Sequence, residues 1–293
     1  MNNPELAGQA KTFFKDAVAL SEKQTTEERQ SVLREIMQRK VDRYNAQPGD
    51  LDKADGYNCK LCMNRGNTAF LLERNGMLYD THPQCRCMEI RRSIHRLKQS
   101  GLESAIRECT FERFIVETEW QQKMVDTAKA YLAEGISKGE WLFIGGAVGS
   151  GKTHICTAVA RELLYRMPVY YMTWPAESTR LKSIVNDEEA YGDAMQRVKT
   201  IDVLYIDDFF KPIMGRDGVQ PPTTADVRIA YEIINHRYVN HMPTIISSER
   251  YPSELLEIDE ATSSRIAERS RRFTVALKRD RSKNRRIVQD ALI

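Results

Sequence analysis

At 293 residues, with 41% apolar and 29% charged residues and a net charge of only +3, the chain has the composition of a soluble globular protein. It is long enough for one large domain and a smaller one, and no uninterrupted apolar run approaches the roughly 20 residues that span a bilayer. The start MNNPELAGQAK lacks a basic segment followed by an apolar core, so the cytoplasm is the expected location, and the six cysteines point to metal or core use rather than disulfides.

Residues 5–46 are polar with two apolar rhythms, Phe13, Phe14, Ala17, Val18 and Leu20, then Val32, Leu33, Ile36, Met37 and Val41, which predict two amphipathic helices. QPGDLDKADG (47–56) is a loop by composition. A Cys-rich segment follows, with CKLC at 59–62 and HPQCRC at 82–87. Zinc takes four thiolate or imidazole ligands in a tetrahedron, and two close pairs on turns supply them. Cys59, Cys62, Cys85 and Cys87 are the preferred Zn²⁺ ligands, with His82 as the substitute. Between the pairs, NTAFLLERNGMLYD predicts a hairpin turning at Asn75-Gly76. A basic helical linker, IRRSIHRLKQSG (90–101), ends the segment. The expected organisation is a helical region at 1–50, a zinc-ribbon-like module with its linker at 51–100, and a large domain at 101–293.

The large domain alternates short apolar runs with helical patterns, the signature of an α/β fold with a parallel sheet. Strands are predicted at 141–144, 169–174, 203–206, 244–247 and 273–277, and helices at 121–136, 153–166, 178–197 and 223–238. Cys109 and Cys156 are expected in the core.

The first of those strands runs into GAVGSGKT (146–153), which opens a helix. That spacing is a phosphate-binding P-loop: backbone N–H groups and a helix N-terminus surround phosphate oxygens with positive potential. Gly146, Gly149, Ser150, Gly151, Lys152, Thr153 and His154 are the predicted nucleotide contacts. Lys152 reaches the phosphates, Thr153 ligates Mg²⁺, and a Cβ at Gly151 is expected to crowd the phosphate. The buried run VLYIDD (203–208) supplies Asp207 for Mg²⁺ and Asp208 to polarise water. In SSER (247–250), Ser248 or Glu249 is the expected polar group near the γ-phosphate. In SRIAER (264–269), Arg265 is the first candidate and Arg269 the second for an arginine donated to a neighbour's nucleotide, the alternative being a solvated surface arginine. From Arg265 to Arg286 ten Lys/Arg face two acids, which makes either a solvated tail or a phosphate-facing surface.

In order, the cysteine pairs, the basic linker, FERF (111–114), the P-loop, VLYIDD, PTIISSER (243–250) and SRIAER resemble the helicase loaders of the DnaC/DnaI family, which are AAA+ ATPases. The resemblance spans about residues 57–286. It implies a protein that binds ATP/ADP with Mg²⁺, self-associates with ATP, and holds a DnaB-type hexameric replicative helicase through its N-terminal region. That helicase is delivered onto single-stranded DNA. It also places the arginine finger at Arg265 and a sensor arginine at Arg286. Two departures stand out: Asp208 where many AAA+ proteins have Glu, and Ser248 or Glu249 where they have Asn. Both imply slow hydrolysis, with ATP as a held state. By analogy, residues 175–200 are an inserted helical segment whose Arg180 and Lys182 line a DNA path or a solvated face. FFKPIMGRDGVQPP (209–222) is long for a loop. Competing functions are a transposition helper ATPase acting with a transposase, and a small-molecule kinase.

Overall fold

The computed structural model describes residues 26–99, 103–215 and 218–285, and the chain divides into two compact units, the first ending at Met88. The expected helix around Phe13–Leu20 and the side chain of Arg286 lie outside the described residues. No helix of the described residues is long and apolar enough to cross a membrane.

In the first unit, helix α1 (Thr26–Ala46) and a single turn α2 (Asp52–Asp55) precede an antiparallel hairpin, β1 (Phe70–Arg74) and β2 (Met77–Thr81). The hairpin turns where Asn-Gly predicts. Asn75 has φ 54° and Gly76 φ 73°, the left-handed pair that matches the right-handed twist of two strands. One side of α1 packs on this hairpin, and Asn45 makes two bonds to the Ala69 backbone, at 2.8 and 2.9 Å. Lys40 adds an ion pair to Asp80 at 2.7 Å.

Helix α3 (Cys87–Gln99) starts on the last of the four clustered cysteines. Beyond it come α4 (Glu103–Glu108) and α5 (Glu119–Ala130), whose start is held by the Thr118 N–H donating to Gln121 Oε1 at 2.8 Å. A parallel sheet of β3 (Trp141–Gly146), β4 (Val169–Thr173), β5 (Val203–Asp207), β8 (Thr244–Ser248) and β9 (Thr274–Leu277) forms the second unit's centre, in the order β4-β5-β8-β3-β9. Every residue of β3, β5 and β8 is buried, as a sheet covered on both faces requires. Around it lie α6 (Lys152–Leu164), α7 (Trp174–Ser183), α8 (Glu188–Thr200), α9 (Thr224–Val239), α10 (Pro252–Ile258) and α11 (Glu260–Arg269). The predicted α/β class and parallel sheet hold.

Two expectations need correction. The single helix predicted over 178–197 is two helices. Pro175 seats α7 early, and the Asp187 carboxylate accepts from the Ala190 N–H at 3.0 Å, starting α8 afresh. The segment 209–222 is not all loop, since it folds a small hairpin from β6 (Ile213–Gly215) and β7 (Gly218–Gln220).

Arg237 on α9 is fully buried and clips three segments together. Its Nη1 donates to the carbonyls of Val198, Lys199 and Ile201 at 3.2, 3.0 and 2.9 Å, which are orphan acceptors at the end of α8. Nη2 reaches Pro243 O at 2.6 Å and Nε reaches Thr244 Oγ1 at 2.9 Å, where β8 begins.

Candidate functional site

Because β8 lies between β3 and β5, three strand ends meet at one edge of the sheet: Gly146, Asp207 and Ser247. The loop leaving β3 folds on itself. Lys152 Nζ donates to Gly146 O at 2.9 Å and Ala147 O at 2.6 Å, and Ser150 Oγ to Ala147 O at 2.8 Å. Burial pulls Lys152 below the usual lysine range, with Glu249 and then Asp208 pulling it back up.

The predicted metal ligands are brought together. Thr153 Oγ1 donates to Asp207 Oδ1 at 3.1 Å, so the two oxygens stand together at the start of α6. Such an oxygen pair next to a phosphate loop fits Mg²⁺, a hard cation that keeps few protein ligands. Asp207 has two more partners that the sequence reading missed: Tyr171 Oη on its Oδ2 at 3.2 Å, and the Ser247 hydroxyl on its Oδ1. Ser247, one residue before the expected Ser248, is therefore the serine beside Asp207. Ser248 is occupied elsewhere, donating to Phe209 O at 2.7 Å and accepting from the Arg250 N–H at 3.0 Å. Glu249 sits within 3.8 Å of the Lys211 ammonium, which also pairs with Asp208 at 2.7 Å. Only the parallel register of β5 on β8, with Ile206 opposite Ile246, reveals that Ser247 is the residue beside Asp207.

The walls of the chain itself already call for glycine in the loop. Gly151 has φ 89°, and a Cβ there meets Phe114 Cε2 at 2.6 Å, so it is the FERF aromatic that leaves no room. Gly149, at φ 72°, faces Asn284 Oδ1, 2.0 Å from where its Cβ would stand. The neighbouring Arg285 N–H donates to Gly149 O at 3.1 Å, and its guanidinium lies 5.1 Å from the Phe114 ring centre. His154 turns to Thr110 O at 2.8 Å and stacks edge-on against Phe114. Segments 110–114 and 284–285 thus form walls of the loop.

Arg265 is not brought to the phosphate loop of its own chain. Its guanidinium donates to Asn235 Oδ1 and Ala261 O and lies over Tyr231 and Tyr238. Arg269 donates to Tyr238 O at 2.9 Å. Arg180 pairs with Glu177 and Lys182 with Asp226. Within the basic run, Arg272 pairs with Glu134 and Glu140, and Arg279 with Glu254, so these charges brace the fold. Cys156 is fully buried in α6, as expected, whereas Cys109 is only half-buried.

The second candidate site lies in the first unit. The sulfurs of Cys59, Cys62, Cys85 and Cys87 all lie within 4.8 Å of one another, buried. A tetrahedron with Zn–S near 2.3 Å places its sulfurs about 3.8 Å apart; Cys59–Cys85 and Cys62–Cys87 stand at 3.9 and 3.5 Å. Gly66 ties the two pairs, its N–H donating to Cys62 Sγ at 3.4 Å and its carbonyl accepting from the Cys85 N–H at 2.7 Å. Burial pushes the Cys62 thiol up, but the Gly66 N–H and the neighbouring cysteines outweigh it and bring it down to about 7. His82 is not in the cluster: its ring meets Tyr44 edge-on and its Nε2 lies 3.7 Å from Asp80. The substitute-ligand expectation is thereby corrected.

Comparison with known proteins follows the same outline. The bacterial DnaA ATPase domain family matches residues 106–269. The chain is 33% identical over 241 residues to the phage-like element PBSX protein XkdC of Bacillus subtilis (strain 168), covering 79% of this chain and 86% of that one. It is 24% identical over 188 residues to the replicative helicase loader DnaC of Escherichia coli (strain K12), covering 64% of this chain and 71% of DnaC. The crystal structure of the DnaC helicase loader shares the fold, with a TM-score of 0.51 at 19% identity over 61% of this chain and 99% of that chain. The chain spans about half the length of the solved replication initiators it matches.

Proposed function

Since this chain belongs to the bacterial DnaA-type AAA+ ATPase family and has the DnaC helicase loader among its relatives, we propose that it is an ATP-switched loader of a hexameric, DnaB-type replicative helicase onto single-stranded DNA. The observation that carries the ATP part of this reading is the meeting of Lys152, Thr153 and Asp207 at the end of the sheet. Lys152 binds the phosphates, Thr153 and Asp207 hold Mg²⁺, and Asp208 orients and polarises the attacking water. Bound Mg²⁺ supplies neutralisation of phosphate charge. Residues 101–293 act as the ATPase. The helical region at 1–50 and the zinc module at 51–100 form an adaptor stiffened by Zn²⁺, because a module this short lacks a large core of its own.

The test is capture. With ATP and Mg²⁺, the full chain should retain a hexameric replicative helicase and bind single-stranded DNA with an affinity that falls as salt rises. Capture of a transposase instead would favour a transposition helper. Metal analysis should find one zinc per chain. Cys62→Ser should lose that zinc and the helicase while keeping nucleotide binding; well under one zinc in the parent protein would sink the adaptor.

Arg265 acts in trans in this reading, supported by its place on Tyr231, Tyr238 and Asn235, away from its own loop. Arg265→Ala should bind ATP normally yet lose turnover and ATP-dependent self-association by roughly tenfold or more, as expected where an arginine stabilises transferring phosphate. Wild-type behaviour here, with failure of Arg269→Ala, would transfer the role to Arg269.

A further inference from the structure

Lys211 belongs to neither the phosphate loop nor the core, yet it stands at the catalytic edge. Its ammonium lies 2.7 Å from Asp208 Oδ2 and 3.8 Å from Glu249 Oε1. The backbone builds this meeting. Asp208 and Phe210 are both left-handed, at φ 56° and 47°, which non-glycine residues adopt only when their surroundings hold them. Those surroundings are visible. The Phe209 N–H donates to Ser247 O at 2.8 Å, the Lys211 N–H to Asp208 O at 3.0 Å, and Arg250 Nε to Phe210 O at 2.7 Å. Both phenylalanine rings are buried against Trp174. The turn is fixed, so Asp208 and Lys211 are aimed at each other.

The tie itself is breakable. The Lys211 and Asp208 side chains remain 42% and 27% exposed, and ion pairs of that exposure are weak. Lys211 also lines a cavity of about 260 Å³ with Trp174, Pro222 and Asp226, so its ammonium has space to leave the carboxylate while the backbone stays put. The hydrogen bond to Asp208 pushes Lys211 above the usual lysine range, so its ammonium stays charged at neutral pH.

We propose that Lys211 is a positioning residue that restrains ATP hydrolysis by occupying the Asp208 carboxylate. The proposal rests on Asp208 as the group that polarises water. In hydrolysis the water oxygen bonds to the γ-phosphorus, the bond to the bridging oxygen of ADP breaks, and the water's proton moves toward Asp208, giving ADP and phosphate. A carboxylate whose oxygen already accepts from an ammonium has fewer free lone pairs for that proton. Movement of Lys211 into its cavity frees Asp208 without changing the Lys152–Thr153–Asp207 binding arrangement. The effect therefore falls on turnover and spares binding.

Steady-state turnover and ATP affinity of the full chain test this. Lys211→Ala should raise kcat roughly threefold to tenfold, the bias expected from a half-exposed ion pair, with ATP affinity unchanged within about twofold. Lys211→Arg, which keeps an ion pair, should bring the restraint back, and Lys211→Gln serves if the alanine variant folds poorly. Asp208→Asn should be slow, and adding Lys211→Ala to it should give no rise. A fall in kcat or weaker ATP binding in Lys211→Ala would make Lys211 a phosphate-binding cation and overturn the restraint. An unchanged Lys211→Ala beside a slow Asp208→Asn would overturn the restraint alone. Wild-type turnover in Asp208→Asn would overturn the role of Asp208 and the proposal with it.

Discussion

Lys152→Ala should weaken ATP binding by at least about 100-fold, with little loss of fold. The ammonium is buried, held by Gly146 O and Ala147 O, and in the proposed reading is the cation that meets the phosphates. Charge-assisted hydrogen bonds are worth about 1.5–3 kcal/mol each, and two of them account for two orders of magnitude or more in affinity. The sign of the pH effect follows from the same environment. Burial lowers Lys152 from its ordinary value, so its charge begins to fade at a lower pH than that of a surface lysine. Bound phosphates favour the charged form, so binding takes up protons on the alkaline side and affinity falls as pH rises there. Calorimetry in two buffers of different ionisation heat reads both quantities. An alanine variant within threefold of the parent affinity would show that Lys152 is not the phosphate cation.

Arg237→Met should cost about 3–5 kcal/mol of stability, the range for leaving buried charged-group partners unsatisfied. The substitution keeps volume but takes the guanidinium donor from the carbonyls of Val198, Lys199 and Ile201, and leaves Pro243 O only the Leu204 N–H. A lysine in its place retains the charge but cannot fork across the end of α8 and the start of β8 at once. Denaturant midpoints measure the loss, and amide exchange should accelerate first at the last turn of α8. A variant within about 1 kcal/mol of the parent would mean that water replaces the guanidinium without penalty.

The fold was legible wherever periodicity and turn chemistry agreed. Asn75-Gly76 announced its hairpin, and GAVGSGKT after an apolar run announced both a strand and a helix. Boundaries failed where a side chain acts as a local cap, as at Asp187, because an apolar rhythm running through 178–197 hides the break. The site was legible as a list of chemical types and illegible as geometry. Tyr171 and Ser247 reach Asp207 only through the parallel register of β4, β5 and β8, which leaves no mark in a linear pattern. Lys211 looked like loop composition until Asp208 turned left-handed. Distance along the chain concealed Asn284, 135 residues after Gly149, as a wall of the loop (284 − 149). His82 shows the converse: spacing admits it beside Cys85, but its ring is spent on Tyr44 and Asp80.

The strand order also sets a timetable for synthesis. Strands β4 and β5 pair Val169 with Val203, only 34 positions apart (203 − 169), and their partnership needs a modest loop closure. By contrast, β3 pairs Trp141 with Thr244 and Phe143 with Thr274, separations of 103 and 131 (244 − 141 and 274 − 143). A growing chain therefore carries β3, a strand buried throughout its length in the finished fold, with the phosphate loop behind it, unpaired while about a hundred further residues emerge. Non-local pairings of this kind are slow and expose sticky surface while they wait. The pairing of Gly146 with Leu277 and the bond from the Arg285 N–H to Gly149 O wait for the end of the second unit, so in a nascent chain the loop after β3 is among the last parts to close.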